Sequence, residues 1–348
     1  MSGPKRKKVF VGVSGGVDSS VSLALLRNQG YDVVGCFIKT WQPDFITCTW
    51  KEERRDAMRV CAHLDVPFIT IDAEKEYKDN VGQYFIDEYK AGRTPNPDVM
   101  CNKEIKFGVF LRYALAHGAD YVATGHYAQV KDGVLLAGAD NTKDQSYFLW
   151  TLTREQLAHI LFPVGYLQKK EVRRLATEYG LPTAEKKDSQ GVCFLGPVDM
   201  KEFLSHYIDK KRGDVLDSSG NIIGHHDGAL FFTLGERHGF TISKKGSDDA
   251  RLYVIDRDLE KNTVTVSDKE TDSPKNAKKE IRLENTNWVT TSVEGKKYSA
   301  RIRYQQTLRP CRVENDTVIF DAAEDLASPG QSLVVYDGEI CLGGGIIA

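Results

Sequence analysis

Val9-Phe10-Val11-Gly12-Val13-Ser14-Gly15-Gly16-Val17-Asp18-Ser19-Ser20 is the stretch from which the rest of this chain is read. Its alternating apolar start predicts a buried strand, and Ser14-Gly15-Gly16 breaks it. Val21, Leu23, Leu25 and Leu26 then return at helical spacing. The order is strand, glycine turn, helix. Such a turn lets the backbone approach a ligand closely and aims unpaired N–H groups at an anion, where the helix dipole favours negative charge. The residues predict a phosphate site; a turn capped by its own Ser and Asp, with no ligand, would use the same residue types.

The kind of phosphate site follows from what the turn lacks. A Walker A loop needs Gly-Lys followed by Ser or Thr, and a dinucleotide fingerprint needs three spaced glycines. Neither is present. Ser14 to Ser19 resembles instead the PP-loop of ATP pyrophosphatases, which implies cleavage of ATP between its α and β phosphates and adenylation of an oxygen.

A chain of 348 residues exceeds one domain of ordinary size, so two or three are expected. Its net charge of −2 gives no global attraction to nucleic acid, and any RNA contact must come from local basic patches. Seven cysteines without a CxxC pair suit neither a disulfide scaffold nor a zinc knuckle and fit reduced thiols in a cytoplasmic enzyme. The start, MSGPKRKKVF, has no apolar signal-peptide core, and no apolar run is long enough to span a bilayer.

Strands are predicted at residues 31–39, 67–72 and 119–124, with helices at 51–64, 74–91, from Cys101 or Asn102 onward, and at 166–180. That alternation predicts a doubly wound parallel sheet, with ligands beyond the carboxyl ends of the strands. Ser14 onward, Ile38 to Trp41 and Thr124 to Tyr127 all fall on that edge. The loop at 40–50, with Trp41, Pro43, Cys48 and Trp50, is either a flap over a nucleotide or a partly buried aromatic loop. Arg54, Arg55 and Arg59 behind it make either an RNA-facing helix or a solvated face.

Gly92 to Lys103 (GRTPNPDVMCNK) is a stiff loop, because its two prolines fix φ and keep Thr94 and Asn96 out of the helical region. Cys101, at the expected helix start with Lys103 and Lys106 close by, is read as a thiol of lowered pKa. Asp98 could cap that helix or move a proton. His126, exposed after a strand and a glycine, is placed to touch ligand or RNA. Lys143, Asp144 and Gln145 before an aromatic run suit either an RNA surface or an aromatic segment packed in the core. Cys193 lies in a polar loop, 186–196, unlike Cys36 and Cys61, which occupy apolar elements. Beyond residue 204 the helical pattern fades into short strands that predict two small β units, the last a barrel. Arg301 and Arg303, two apart in one expected strand, make either a phosphate-tracking stripe or a solvated face.

The set SGGVDSS, GRTPNPDVMCNKEIKF, ATGHY, NTKDQSYFL, KKDSQGVCF and PGQ…CLGGGII resembles the tRNA-uridine 2-sulfurtransferase (tRNA-specific 2-thiouridylase) family over essentially the whole chain. The resemblance implies a PP-loop domain at 1–203, a central β-rich tRNA-binding domain at 204–272 and a β-barrel at 273–348. It implies adenylation of the wobble uridine at its C2 oxygen, with ATP and Mg2+, and sulfur delivered as a persulfide by a cysteine desulfurase or carrier protein. In the family's pattern Cys193 accepts the persulfide, Cys101 is the assigned nucleophile and Asp98 the acid/base. Gly12, Val13, Ser14, Gly15, Gly16, Val17, Asp18, Ser19, Ile38 and Gly125 match ATP contacts, and Asn96, Pro97 and Asp98 match contacts to the target base. His126, Lys143, Asp144, Gln145, Arg303, Tyr304 and Gln331 match tRNA contacts. An iron–sulfur cluster on Asp98, Cys101 and Cys193, with one open iron, is a chemical alternative to a persulfide cycle, although the cysteine spacing carries no cluster motif.

Overall fold

The computed structural model describes residues 6–46, 49–188, 193, 199–243, 251–269, 278–290, 295–324 and 327–348. Cys48, Gln190 to Val192 and Phe194 to Gly196 lie outside the described residues.

The opening strand is β1 (Lys8–Gly12), followed by helix α1 (Val17–Asn28), β2 (Asp32–Lys39), helix α2 (Trp50–His63) and β3 (Phe68–Asp72). Later come β4 (Tyr121–Ala123), the hairpin β5 (Ala128–Lys131) and β6 (Val134–Ala137), and β7 (Ile160–Leu161). The sheet runs β3-β2-β1-β4-β7 and is parallel throughout. Alternation in its central strands sorts the core onto two faces. Val9, Val11, Val33 and Phe37 pack with α1 and α2, whereas Phe10, Val34, Cys36 and Ile38 pack with the helices after β3. Cys36 and Cys61 are buried, as their apolar settings predict.

The helix expected at Cys101 starts at Pro97, because Asn96 caps it by accepting from the backbone N–H of Asp98 (3.1 Å) and Val99 (3.3 Å). Asp98 is therefore not the cap. Residues Pro97–Met100 are α-helical, Cys101–Val109 form a π-helix and Phe110–Ala116 return to α. The helix near residues 74–91 likewise contains a π segment, Lys78–Gly82.

The central β unit has five strands in the order Phe240–Ile242, Ile222–His226, Gly213–Leu216, Thr263–Ser267, Tyr253–Asp258. Its core also takes Phe203 and Leu204 from the helix Met200–Ser205, so that helix straddles a 203/204 border and packs with the central unit. The last unit is a barrel of six strands, in which Lys278–Trp288 pairs with both Thr317–Glu324 and Ile340–Ile347 and closes the circle. The β5–β6 hairpin adds to its rim through Leu136 opposite Ile340, a pairing the sequence reading did not anticipate.

Candidate active site

Beyond the carboxyl ends of β1, β2 and β4 lies a cleft of about 830 Å³, lined by Ser14, Asp18, Ser19, Ile38, Gly125 and Cys193 among others. At one end is the glycine turn. Gly15 takes a left-handed φ of +77°, and α1 begins after Gly16 without any side-chain cap, which leaves its first N–H groups for an incoming anion. The Ser14 N–H donates to Ser19 Oγ at 3.2 Å, tying the turn to the helix it opens. Gly125 is needed for close approach: a Cβ there would sit 2.6 Å from the Ser19 backbone nitrogen.

Asp18 faces a basic partner that the sequence did not single out. Lys169, at the start of the helix Lys169–Glu178, donates to Asp18 Oδ1 and Oδ2 at 2.7 and 2.8 Å and reaches Asp188 at 2.9 Å. Tyr127 OH also donates to Asp18, at 2.7 Å. Against the cost of partial burial, Lys169 and Arg173 hold the Asp188 carboxyl below its ordinary value. Lys169 reads in sequence as one more charge on a polar helix face; only the fold brings it to the turn.

At the other end of the cleft the two predicted cysteines meet. Cys101 Sγ and Cys193 Sγ are 3.5 Å apart and both thiols are free, with Cys101 donating to Cys193. The Cys193 backbone N–H donates to Asp98 Oδ1 at 3.0 Å, and Tyr77 OH donates to the Cys193 carbonyl at 3.0 Å. The expectation of an acidic Cys101 is corrected. Complete burial pushes the Cys101 thiol well above its ordinary value, and Lys103 is exposed and paired with Glu104. The hydrogen bond from Cys101, aided against burial by Lys106, instead lowers Cys193, so Cys193 is the more acidic thiol of the pair. Burial also raises the Asp98 carboxyl, more than its bond to Cys193 and the charge of Lys106 lower it. Among the described residues no group of three or more His, Cys, Asp or Glu side chains is arranged to hold a metal ion. Asp98 accepts from the Cys193 backbone N–H, and the two sulfurs contact each other at 3.5 Å.

Several surface readings are corrected by burial. His126 is 7% exposed, with Nδ1 2.6 Å from Thr124 Oγ1. Asp144 is equally enclosed and pairs with Arg301 at 2.6 Å, while accepting from Gly138 N, Ser146 N and Ser146 Oγ, each at 3.0 Å. Arg301 and Arg303 form no shared stripe. The strand ends at Arg301, whose guanidinium is buried on Asp144 and Tyr336, and Arg303 donates to the Leu234 carbonyl of the central unit. Gln331 donates to the Thr94 carbonyl at 2.8 Å, joining the barrel to the proline loop. Lys143, Gln145 and Tyr304 do line the cleft, with Phe148 against Tyr304 at 4.5 Å between ring centres. The aromatic run at 147–150 is otherwise core: Tyr147, Leu149 and Trp150 are buried. Trp41 packs on Gly82 and Lys78, and Phe45 stacks on His206, so residues 41–46 lean toward the central unit, away from the nucleotide turn.

A doubly wound parallel sheet with an uncapped glycine turn at its carboxyl edge is the architecture of a PP-loop ATP-using enzyme. Family models cover nearly all of the chain: a tRNA methyl transferase HUP domain at 7–197, a tRNA methyl transferase PRC-barrel domain at 201–268 and an aminomethyltransferase β-barrel domain at 278–347. The tRNA-specific 2-thiouridylase MnmA of Alkaliphilus oremlandii (strain OhILAs) is 47% identical, over 99% of this chain and 98% of its own. That of Streptococcus thermophilus (strain ATCC BAA-491 / LMD-9) is 45% identical over 100% of this chain and 96% of its own. The chain belongs to the tRNA-specific 2-thiouridylase family. Among solved structures, a 4-thiouridine synthetase in complex with RNA and bound ATP matches 57% of this chain and 50% of its own at 20% identity and a TM-score of 0.38, a likeness too slight to argue from.

Proposed function

We propose that this protein thiolates the wobble uridine, U34, of tRNA at C2 at the expense of ATP, giving 2-thiouridine, AMP and pyrophosphate. The observation that carries the reading is the meeting, at 3.5 Å, of two thiols 92 residues apart, in the cleft whose far end is the phosphate turn. A PP-loop ligase forming an amide would use the turn and need no such pair.

The chemistry divides along the cleft. Uridine C2 carries a poor leaving oxygen; adenylation converts it to AMP, and the N–H groups of Gly15 to Ser19 receive the departing pyrophosphate. ATP, with Mg2+, supplies the activating group. The Cys193 thiolate attacks the outer sulfur of a donor persulfide, forming Cys193–S–SH and releasing the donor's thiolate. Cys101, its proton passing to Asp98, then attacks the inner sulfur, forms a disulfide with Cys193 and releases hydrosulfide, which adds at C2 and expels AMP. An external thiol reduces the disulfide. The target base must leave the anticodon stack to expose C2, with Asn96 to Asp98 beside it. Lys143, Gln145 and Tyr304 are the tRNA contacts this reading retains at the cleft. The persulfide comes from a cysteine desulfurase or carrier protein, and the reaction belongs in the cytoplasm. Among the described residues no helix is long and apolar enough to cross a membrane.

The test is anaerobic incubation with unmodified tRNA, ATP and a persulfide source, followed by nucleoside analysis. Wild type should yield 2-thiouridine and AMP in equal amounts, and Cys101→Ser and Cys193→Ser should yield no 2-thiouridine while remaining folded. Wild-type thiolation by either variant would sink the two-thiol mechanism. AMP without thiouridine would point to a ligase, and RNA binding without AMP to a non-enzymatic protein. Repeating the assay with and without a reconstituted iron–sulfur cluster separates the persulfide cycle from the cluster alternative.

A further inference from the structure

Cys101 and Lys106 are five residues apart on one helix. At 3.6 residues per turn, five residues rotate a side chain by about 140° beyond a full turn, which would set the two on different faces. The segment Cys101–Val109 is a π-helix, and its i→i+5 bonding brings position i+5 back beside position i. Lys106 consequently lines the cleft together with Asp98 and Cys193, and its charge favours the Cys193 thiolate.

His126 holds the ammonium from the other side. Lys106 Nζ lies 3.4 Å from His126 Nε2. An ammonium has donors only, so Nε2 accepts, and Nδ1 keeps its proton and donates to Thr124 Oγ1 at 2.6 Å. The ring is therefore neutral, in keeping with its burial between Phe107 and Phe162. Among the described residues, the groups facing Cys193 are Cys101, Asp98 and Lys106 from the Pro97–Ala116 helix and Tyr77 from the Glu74–Tyr77 helix, whose hydroxyl donates to the Cys193 carbonyl. Lys106 is the cation among them.

We propose that Lys106, fixed in place by the neutral His126–Thr124 pair, is the positioning cation of the sulfur-carrying thiol. It lies against the Cys193 sulfur anion before loading and against the persulfide anion after it. This rests on the reading of Cys193 as the sulfur acceptor and assigns His126 to the interior of the site instead of to the tRNA surface.

The experiment is the rate of Cys193 alkylation by iodoacetamide as a function of pH, read by peptide mass spectrometry on the full chain without tRNA, ATP or sulfur. Lys106→Met should move the curve to higher pH and slow labelling at pH 7 by about 10-fold, the change for one pKa unit. Lys106→Arg should restore it to within about 3-fold, since the charge is kept. His126→Phe, which removes the acceptor but keeps a ring, should give an intermediate curve; if Lys106→Met does not fold, this variant decides. Wild-type labelling across the pH range in Lys106→Met and His126→Phe overturns the proposal, and so does a Lys106→Arg curve as slow as that of Lys106→Met. Because the readout needs neither tRNA nor sulfur, unchanged labelling counts against Lys106 alone, and a failed thiolation assay counts against the proposed function alone.

Discussion

Cys101 and Cys193 shift in opposite directions: burial raises the Cys101 thiol, whereas the hydrogen bond from Cys101, with the charge of Lys106, lowers Cys193 against its own burial. Cys101 is fully enclosed and keeps its proton, which it shares with Cys193 across 3.5 Å. Sequence marks both thiols through their polar, basic neighbourhoods, but neighbourhood along the chain misassigns the more acidic thiol, because Lys103 points to solvent and Lys106 to Cys193. Asp98 Oδ1 accepts the Cys193 N–H at 3.0 Å, and in the proposed reaction its carboxyl takes the Cys101 proton. Asp98→Asn retains an acceptor and loses the base. Thiolation should fall by about 10²–10⁴-fold, the usual worth of general acid–base catalysis. Cys193 alkylation should persist or quicken, because a negative neighbour has gone. Nucleoside analysis beside mass-spectrometric labelling reads both, and undiminished thiolation would reduce Asp98 to an anchor for the loop.

Among the elements, the helix Pro97–Ala116 carries most of the chemistry, and its winding is what sequence periodicity does not show. Phe107, Phe110, Leu111 and Leu115 announce a helix by their spacing; the first three are buried and Leu115 is exposed. The i→i+5 turn within it is invisible to a 3.6-residue reading and appears only where the helix packs. Gly108 belongs to that turn: a Cβ there would stand 2.9 Å from the Lys103 carbonyl oxygen, five residues back. Gly108→Ala should therefore destabilise the protein by about 1 kcal/mol, a backbone clash outweighing the usual helix preference for Ala. Chemical denaturation gives the stability and Cys193 labelling reports whether Lys106 has moved; a variant more stable than wild type would show that the turn relaxes to α without cost.

At the scale of the whole molecule, the central unit and the barrel are both fastened to the loop of the nucleotide domain that carries the site. Thr94 N donates to the Pro329 carbonyl at 2.9 Å, Gln331 donates to the Thr94 carbonyl, and Arg257 of the central unit donates to the Gly92 carbonyl at 2.7 Å. The barrel is joined to the nucleotide domain again by the buried pair Arg301–Asp144, with Tyr336 OH 2.7 Å from the same guanidinium. Breaking such a pair from one side leaves an uncompensated charge, so Arg301→Met should cost about 3–5 kcal/mol. Thermal unfolding reads the loss, and a change within 0.5 kcal/mol would show that the joint carries no weight. The phosphate-stripe reading of Arg301 and the surface reading of Asp144 gave way for one reason: charge in a sequence signals solvent unless a distant partner covers it, and here each is the other's partner, 157 residues away. By itself the sequence determined the sheet, the glycine turn and the two thiols, because each is written in local spacing and residue chemistry. The tertiary structure alone decided which thiol is the more acidic, which charges are buried and where Lys106 lies, since proton affinity and exposure depend on neighbours that only folding brings together.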